Sequence, residues 1–199
     1  MNAGRGARGA GREHSDRAPT EEQSSTPDRA LRTARPAPRV GLGYDSHRFA
    51  PGIPLRLGGV TIPGERGLAG HSDGDAVAHA ITDAVLGAAA AGDIGEMFSD
   101  TDPANRGRDS IEMLRRAVAR VFESGWTVAS VDVTVVAETP KIAPHREAMR
   151  AALAPALGIA PTDVSIKGKT NEGMGWIGRG EGIACLAVAT LAPAPGSDA

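Results

Sequence analysis

The residue types able to do chemistry begin with Asp45-Ser46-His47. On an extended segment, positions two apart point to one face. A carboxylate and an imidazole placed so can fill two corners of a tetrahedral metal site. His79 stands in a run of Ala, Val and Ile. Asp75 and Asp83 lie four residues to either side, on one helical face with it. One or both can orient the imidazole as hydrogen-bond acceptors. Three protein ligands and an open fourth place mark a catalytic zinc rather than a structural one. Each piece alone has a plainer meaning: a surface turn for Asp-x-His, a hydrogen-bonded core histidine for His79.

Other segments have the chemistry of phosphate and hydroxyl binding. His71-Ser72-Asp73-Gly74-Asp75 is a polar helix entry in which Asp73 can cap and free amides can meet an anion. Gly92 to Pro103 is a polar connection rich in carboxylates, and Asp93 can accept hydrogen bonds from polyol hydroxyls. In Lys167-Gly168-Lys169-Thr170-Asn171-Glu172, Lys169 and the Thr170 hydroxyl suit phosphate oxygens. Glu172 suits a hard divalent cation carried by those phosphates. The Walker pattern is absent. Arg179, within Gly178–Gly182, can grip an anion. Lys141, after Thr139-Pro140, has a phosphate, a base or water as candidate partners. Solvated acidic loops and glycine turns remain the plain alternatives for these stretches. Cys185 falls in an apolar run with no second cysteine and reads as core.

The elements that must hold these groups follow from periodicity. Val40, Leu42 and Tyr44 alternate as a strand ending at Asp45. Leu55 to Ile62 reads as a hairpin through Gly58-Gly59. Asp73 to Ala91 is the clearest helix, with Gly92 ending it. Asp109 or Ser110 caps a second helix stopped by Gly125, and Pro144 opens a third that runs to Leu157 before Gly158. Residues 127–137, 163–169 and 182–191 read as strands. The expected fold is α+β: one domain with a mixed, two-layer arrangement of about four main strands and about three helices.

The composition narrows the function classes. The chain has 199 residues with 22 basic and 24 acidic side chains, a balance that argues against a general nucleic-acid or membrane-surface binder. Six aromatic residues leave little for stacking single-stranded nucleic acid. A single cysteine fits a reducing, cytoplasmic setting. Residues 1–38 are rich in Arg, Gly, Ser and Pro and lack Val and Ile, so a disordered tail is expected there. Five acidic residues in that stretch speak against plastid targeting. The folded domain is expected over 39–192, with a loose end over 193–199.

Taken in order, GYDSHRF, LGGVTIP, GLAGHSDGDAVAHAITDAVLGAAAAGDIGEMFSDTDP, VDVTVVAETPKIAPH and GRGEGIA resemble the 2-C-methyl-D-erythritol 2,4-cyclodiphosphate synthases of the non-mevalonate isoprenoid pathway. The resemblance runs from Arg39 to Leu191. It implies a lyase that cyclises 4-diphosphocytidyl-2-C-methyl-D-erythritol 2-phosphate with loss of CMP. The 2-phosphate attacks the β-phosphate, a reaction that asks mainly for positioning and charge neutralisation.

The resemblance implies zinc on Asp45, His47 and His79, and a second ion, magnesium or manganese, on Glu172. His71 and Thr170 match transition-state positions, and Ser72 shares the loop of His71. Asp93, Ile94 and Gly95 match the polyol site. Phe98, Ser99, Asp100, Thr101 and Asp102 match a substrate loop. Ala137, Glu138, Thr139, Pro140, Lys141, Ile142 and Ala143 match the cytidine pocket, and Lys169 and Asn171 are further expected substrate-binding residues. Arg179 and Trp176 match positions near a diphosphate-binding cavity. A homotrimer with sites between subunits is implied as well, as are a small cytidine-linked substrate and no nucleic-acid or membrane partner. Three positions depart from the pattern: Lys169 for a common threonine, Trp176 for a common phenylalanine, and Leu186 where some members are acidic. Two other readings stay open, a metal-dependent phosphoester hydrolase using the same ligands and a zinc or nucleotide-binding module without turnover. A fusion with a preceding cytidylyltransferase is not expected, since only 38 residues lie upstream.

Overall fold

The computed structural model describes residues 37–196. All but the last two residues of the expected tail, and residues 197–199, lie outside them. The described chain forms a five-stranded sheet of β1 (Arg39–Leu57), β2 (Val60–Leu68), β3 (Trp126–Val136), β4 (Val164–Lys169) and β5 (Gly182–Pro193). The spatial order is β2-β1-β5-β3-β4. Only β3 and β4 run parallel, and the crossover between them carries a helix, as parallel neighbours require. The sheet is thus mixed, as expected, with five strands where about four main ones were expected. The hairpin at Gly58-Gly59 has longer arms than its turn suggests, and β1 continues past Asp45 through register irregularities between Ala50 and Leu55.

The helices are α1 (Ala76–Ala89), the one-turn α2 (Ile94–Met97), α3 (Ser110–Glu123), α4 (Arg146–Leu157) and the one-turn α5 (Gly175–Gly178). In β1, Gly41, Gly43, Asp45 and His47 face inward, while Leu42, Tyr44, Ser46 and Arg48 face out. Helix α1 lies directly against that inner face. A Cβ on Gly41 would overlap the Ala84 carbonyl oxygen, and one on Gly43 the Ala80 carbonyl oxygen. Missing side chains on β1 and alanines on α1 bring the two backbones together. Helix α3 buries Ile111, Leu114, Ala117 and Val121 against α1, and α4 adds Met149, Leu153 and Leu157.

Several boundaries differ from the expectations. Asp75, not Asp73, caps α1. Its carboxylate accepts from the Val77 and Ala78 amides at 3.1 Å, and from the hairpin amides of Gly58 at 2.8 Å and Gly59 at 2.6 Å. Ala90 ends α1 in the left-handed conformation, two residues before Gly92. Pro193, expected to open a loose end, closes β5, and the buried Ala194 donates its N–H to the Gly125 carbonyl at 2.8 Å. Cys185 is fully buried, and burial raises its thiol pKa, so it is core as expected. No described helix is long and apolar enough to cross a membrane.

Candidate metal centre and nucleotide cleft

The inward alternation of β1 delivers Asp45 and His47, and the close approach of α1 delivers His79. Asp45 Oδ2 lies 2.9 Å from His47 Nε2 and 3.0 Å from His79 Nδ1, and the two nitrogens are 3.2 Å apart. Ligands on a tetrahedral zinc with bonds of ~2.0–2.1 Å stand about 3.4 Å from one another. The triangle is thus slightly tighter than an occupied site, and its carboxylate and two imidazoles are a donor set zinc accepts. The far ring nitrogens are also engaged. His47 Nδ1 meets the Ala69 carbonyl oxygen at 2.7 Å. A carbonyl only accepts, so Nδ1 carries the hydrogen and Nε2 presents its lone pair. His79 Nε2 meets Ser110 Oγ at 2.8 Å and Ser72 Oγ at 2.9 Å.

Charge follows the geometry. Burial alone would raise the Asp45 carboxyl, but the hydrogen bonds of His47 and His79 outweigh it and hold the group well below the usual carboxylate range. Burial alone would lower His47, and the Asp45 carboxylate outweighs that and raises it. Without a metal, the carboxylate thus draws the His47 imidazole toward the protonated form.

Asp75 and Asp83 do not orient His79. The Asp75 carboxylate serves the cap and hairpin amides, and Asp83 accepts from the Ile94 N–H at 2.8 Å. Helix α1 is packed nearly all round, so carboxylates one turn from His79 are taken by neighbouring backbone. Ser110, which the spacing did not mark, takes that place.

A cleft opens over the metal triangle. His71, Ser72, Ile94, Gly95, Phe98 and Asp100 line it, all expected, together with Asn105 and Met113, which the sequence did not single out. Four of the expected residues are absent from this lining. Asp93 instead caps α2, accepting from Glu96 N–H at 2.8 Å. Ser99 and Thr101 bond each other through their hydroxyls at 2.7 Å, and Asp102 accepts from Ala104 N–H at 2.9 Å. Asn105 ties the loop by donating to the Ser99 carbonyl at 2.8 Å.

A second cleft is lined by Ala137, Pro140, Lys141, Ile142, Ala143, Gly168, Lys169 and Thr170, with Arg146 at its edge. It shares no lining residue with the first. Arg146, at the start of α4, escaped the sequence reading because nothing in its spacing distinguishes it from a solvated helix residue. Thr139 is exposed and outside this lining. Glu138 turns away to the next loop, accepting from Asn171 N–H at 3.0 Å and Gly173 N–H at 3.2 Å. Glu172 is exposed, and its Oε1 accepts from the Thr170 hydroxyl at 2.7 Å. Trp176 and Arg179 line neither cleft, and Arg179 is paired with Glu181 at 2.6 Å.

Known proteins are similar to this chain in sequence and fold. A family model described as the YgbB family matches residues 38–192. A 2-C-methyl-D-erythritol 2,4-cyclodiphosphate synthase of Gemmatimonas aurantiaca is 62% identical over 153 residues, covering 77% of this chain and 92% of that one. A synthase of the same name from Burkholderia thailandensis is 56% identical over 153 residues, covering 77% and 94%. Among solved structures, IspF of Plasmodium falciparum in complex with CDP superposes with a TM-score of 0.70 at 34% identity, covering 81% of this chain and 99% of that one. The bifunctional IspDF of Campylobacter jejuni gives a TM-score of 0.77 at 40% identity. The match there covers 79% of this chain but only 42% of the longer protein. A match over nearly the whole described domain, with identity well above half, makes the chain a member of the YgbB family, that of the 2-C-methyl-D-erythritol 2,4-cyclodiphosphate synthases.

Proposed function

We propose that this chain carries out the family's cyclisation at the Asp45, His47 and His79 centre, with zinc held by those three side chains. The reaction converts 4-diphosphocytidyl-2-C-methyl-D-erythritol 2-phosphate to 2-C-methyl-D-erythritol 2,4-cyclodiphosphate and CMP. A bond forms between a 2-phosphate oxygen and the β-phosphorus. The bond from that phosphorus to the bridging oxygen breaks, and the electron pair leaves with CMP. Zinc at the triangle and a magnesium or manganese ion at Glu172 would, when bound, neutralise phosphate charge and orient the reacting oxygens. The observation that carries this reading is the triangle itself: three ligand atoms within 3.2 Å, with both far imidazole nitrogens already hydrogen-bonded.

The chain's own groups do the remaining work. Ile94, Gly95 and Phe98 bound the polyol and limit water above the triangle. His71 and Ser72 stand at the mouth of that cleft, and His71 and Thr170 meet the charge that builds on the transferring phosphoryl group. Lys169 draws in phosphate by its charge. The backbone from Ala137 to Ala143 frames the base. One nucleotide-linked substrate must reach both clefts, and they have no lining residue in common. We therefore infer a homotrimer in which the metal cleft of one subunit meets the nucleotide cleft of the next. The outer face of the sheet favours it, exposing Val40, Leu42, Tyr44, Leu186 and Val188. The bacterial relatives and the single buried cysteine favour a cytoplasmic setting.

Phosphorus NMR of the purified protein with this substrate and magnesium tests the reading. CMP and a cyclic diphosphate are expected, both lost on zinc chelation and in His79→Ala. CMP with a linear product would make the chain a hydrolase. No turnover by zinc-loaded trimers would leave a binding module.

A further inference from the structure

A chain of polar groups, buried at Ser110 and partly exposed at Asp73 and Arg56, runs behind His79, away from the metal triangle. Ser110, the first residue of α3, is fully buried, and its Oγ is 2.8 Å from His79 Nε2. Its hydroxyl donates to Asp73 Oδ1 in a short contact, and its backbone N–H reaches Asp73 Oδ2 at 3.3 Å. Asp73 Oδ2 is in turn 3.3 Å from Arg56 Nη1 on β1. The same guanidinium reaches Asp109 Oδ2 at 3.4 Å, and its Nε is buried with no partner. Ser72 Oγ offers His79 Nε2 a second contact at 2.9 Å.

The directions of donation in this chain are fixed from its charged end. An ionised Asp73 beside Arg56 can only accept. It therefore takes the Ser110 hydrogen, and the Ser110 oxygen is left to accept from His79. His79 must then carry its hydrogen on Nε2 and turn the lone pair of Nδ1 toward Asp45 and His47. Outer hydrogen bonds of this kind set the tautomer and ring orientation of a metal-ligating histidine and raise its basicity. The chain also links four separate pieces of backbone: β1 by Arg56, the 70–75 loop by Asp73, α3 by Ser110 and α1 by His79.

We propose that Ser110, backed by Asp73 and Arg56, is the positioning residue that holds His79 ready for the metal. The inference rests on the reading of Asp45, His47 and His79 as zinc ligands.

The test is zinc affinity, measured by competition with a chromophoric chelator on the full chain, beside thermal melting of the metal-free protein. Ser110→Ala and Asp73→Asn are expected to weaken zinc about tenfold to a hundredfold. The double variant is expected to be little worse than either single, because the two groups act in one chain. Asp109→Ala is the control for disturbance of the same helix end. It removes the α3 cap, in which Asp109 accepts from Glu112 N–H at 3.0 Å, and one of the two carboxylates at Arg56, but leaves the side chains of Asp73, Ser110 and His79 and the Arg56–Asp73 contact in place. It is expected to lower the melting temperature and leave zinc affinity unchanged. The proposal is overturned if Ser110→Ala and Asp73→Asn hold zinc as tightly as the parent, or if Asp109→Ala loses as much as they do. A parent chain that takes up no zinc would bring down the ligand assignment itself, and this inference with it.

Discussion

Glu172 has its backbone at φ 51°, and Ala90 is the other described non-glycine residue with positive φ. For an L-residue the left-handed region costs roughly 1–2 kcal/mol. At Ala90 the conformation ends a helix, with its N–H returned to the carbonyls of Gly87 and Leu86. At Glu172 the flanking amides of Asn171 and Gly173 are both pinned by the Glu138 carboxylate, so the surroundings force the conformation. Strain of this kind gathers at functional sites, and it suits a carboxylate that must be presented at one place. Glu172→Gly separates the two roles. Glycine takes the left-handed region freely, so melting should be unchanged or up to about 4 °C higher. Turnover and its dependence on magnesium should be lost. A Glu172→Gly enzyme that keeps full activity would remove Glu172 from the second-ion site; one that is inactive and melts far lower would make its role structural.

At the scale of elements, the metal triangle depends on how closely α1 lies on β1. Gly43→Ala puts a methyl into the Ala80 carbonyl. Overpacking of this kind costs about 1–3 kcal/mol, and melting should fall by roughly 2–12 °C. Separating β1 from α1 also moves Asp45 and His47 away from His79, so zinc affinity should fall with stability. Gly87→Ala on the open side of α1, where an added Cβ meets nothing, should instead stabilise by about 0.5–1 kcal/mol and leave zinc binding as it is. Equal zinc affinity in both variants would show that the helix–strand distance does not set the centre. This contact also shows what was legible in the sequence. Alternation put Asp45 and His47 on one face, helical spacing put His79 on a buried helix, and the motif order tied them together. The partner of His79 was not legible. Helical spacing nominated Asp75 and Asp83, whereas tertiary packing gave those carboxylates to backbone amides and brought Ser110 in from another helix. The long bent course of β1 and the reach of β2 were not legible either, since they depend on pairing partners distant in sequence.

At the scale of the molecule, one side of the sheet is covered by α1, α3 and α4, while β1 and β5 leave an apolar stripe bare on the other. Leu42 pairs with Val188 and Tyr44 with Leu186 in the strand register, and all four are exposed, Leu42 at 67%. Such a patch suits the subunit contact of the proposed trimer. Leu186, an acidic position in some members, lies on it, so the proposed trimer here presents an apolar side chain where those members present a charge. If the trimer completes each site from two subunits, two defects on different clefts can be separated. His79→Ala spoils the metal cleft and Thr170→Ala the nucleotide cleft, so each variant alone should be nearly inactive. Dissociated and reassociated at equal amounts, a site works only when its metal half comes from one variant and its nucleotide half from the other. Random assembly in a ring gives about one quarter of sites both halves intact, and activity should recover to about that fraction of the parent's. Sites completed within one chain would recover nothing on mixing. Recovery would also fail in Leu42→Glu versions of both variants, because a charge buried in the subunit contact should leave monomers whose clefts never meet.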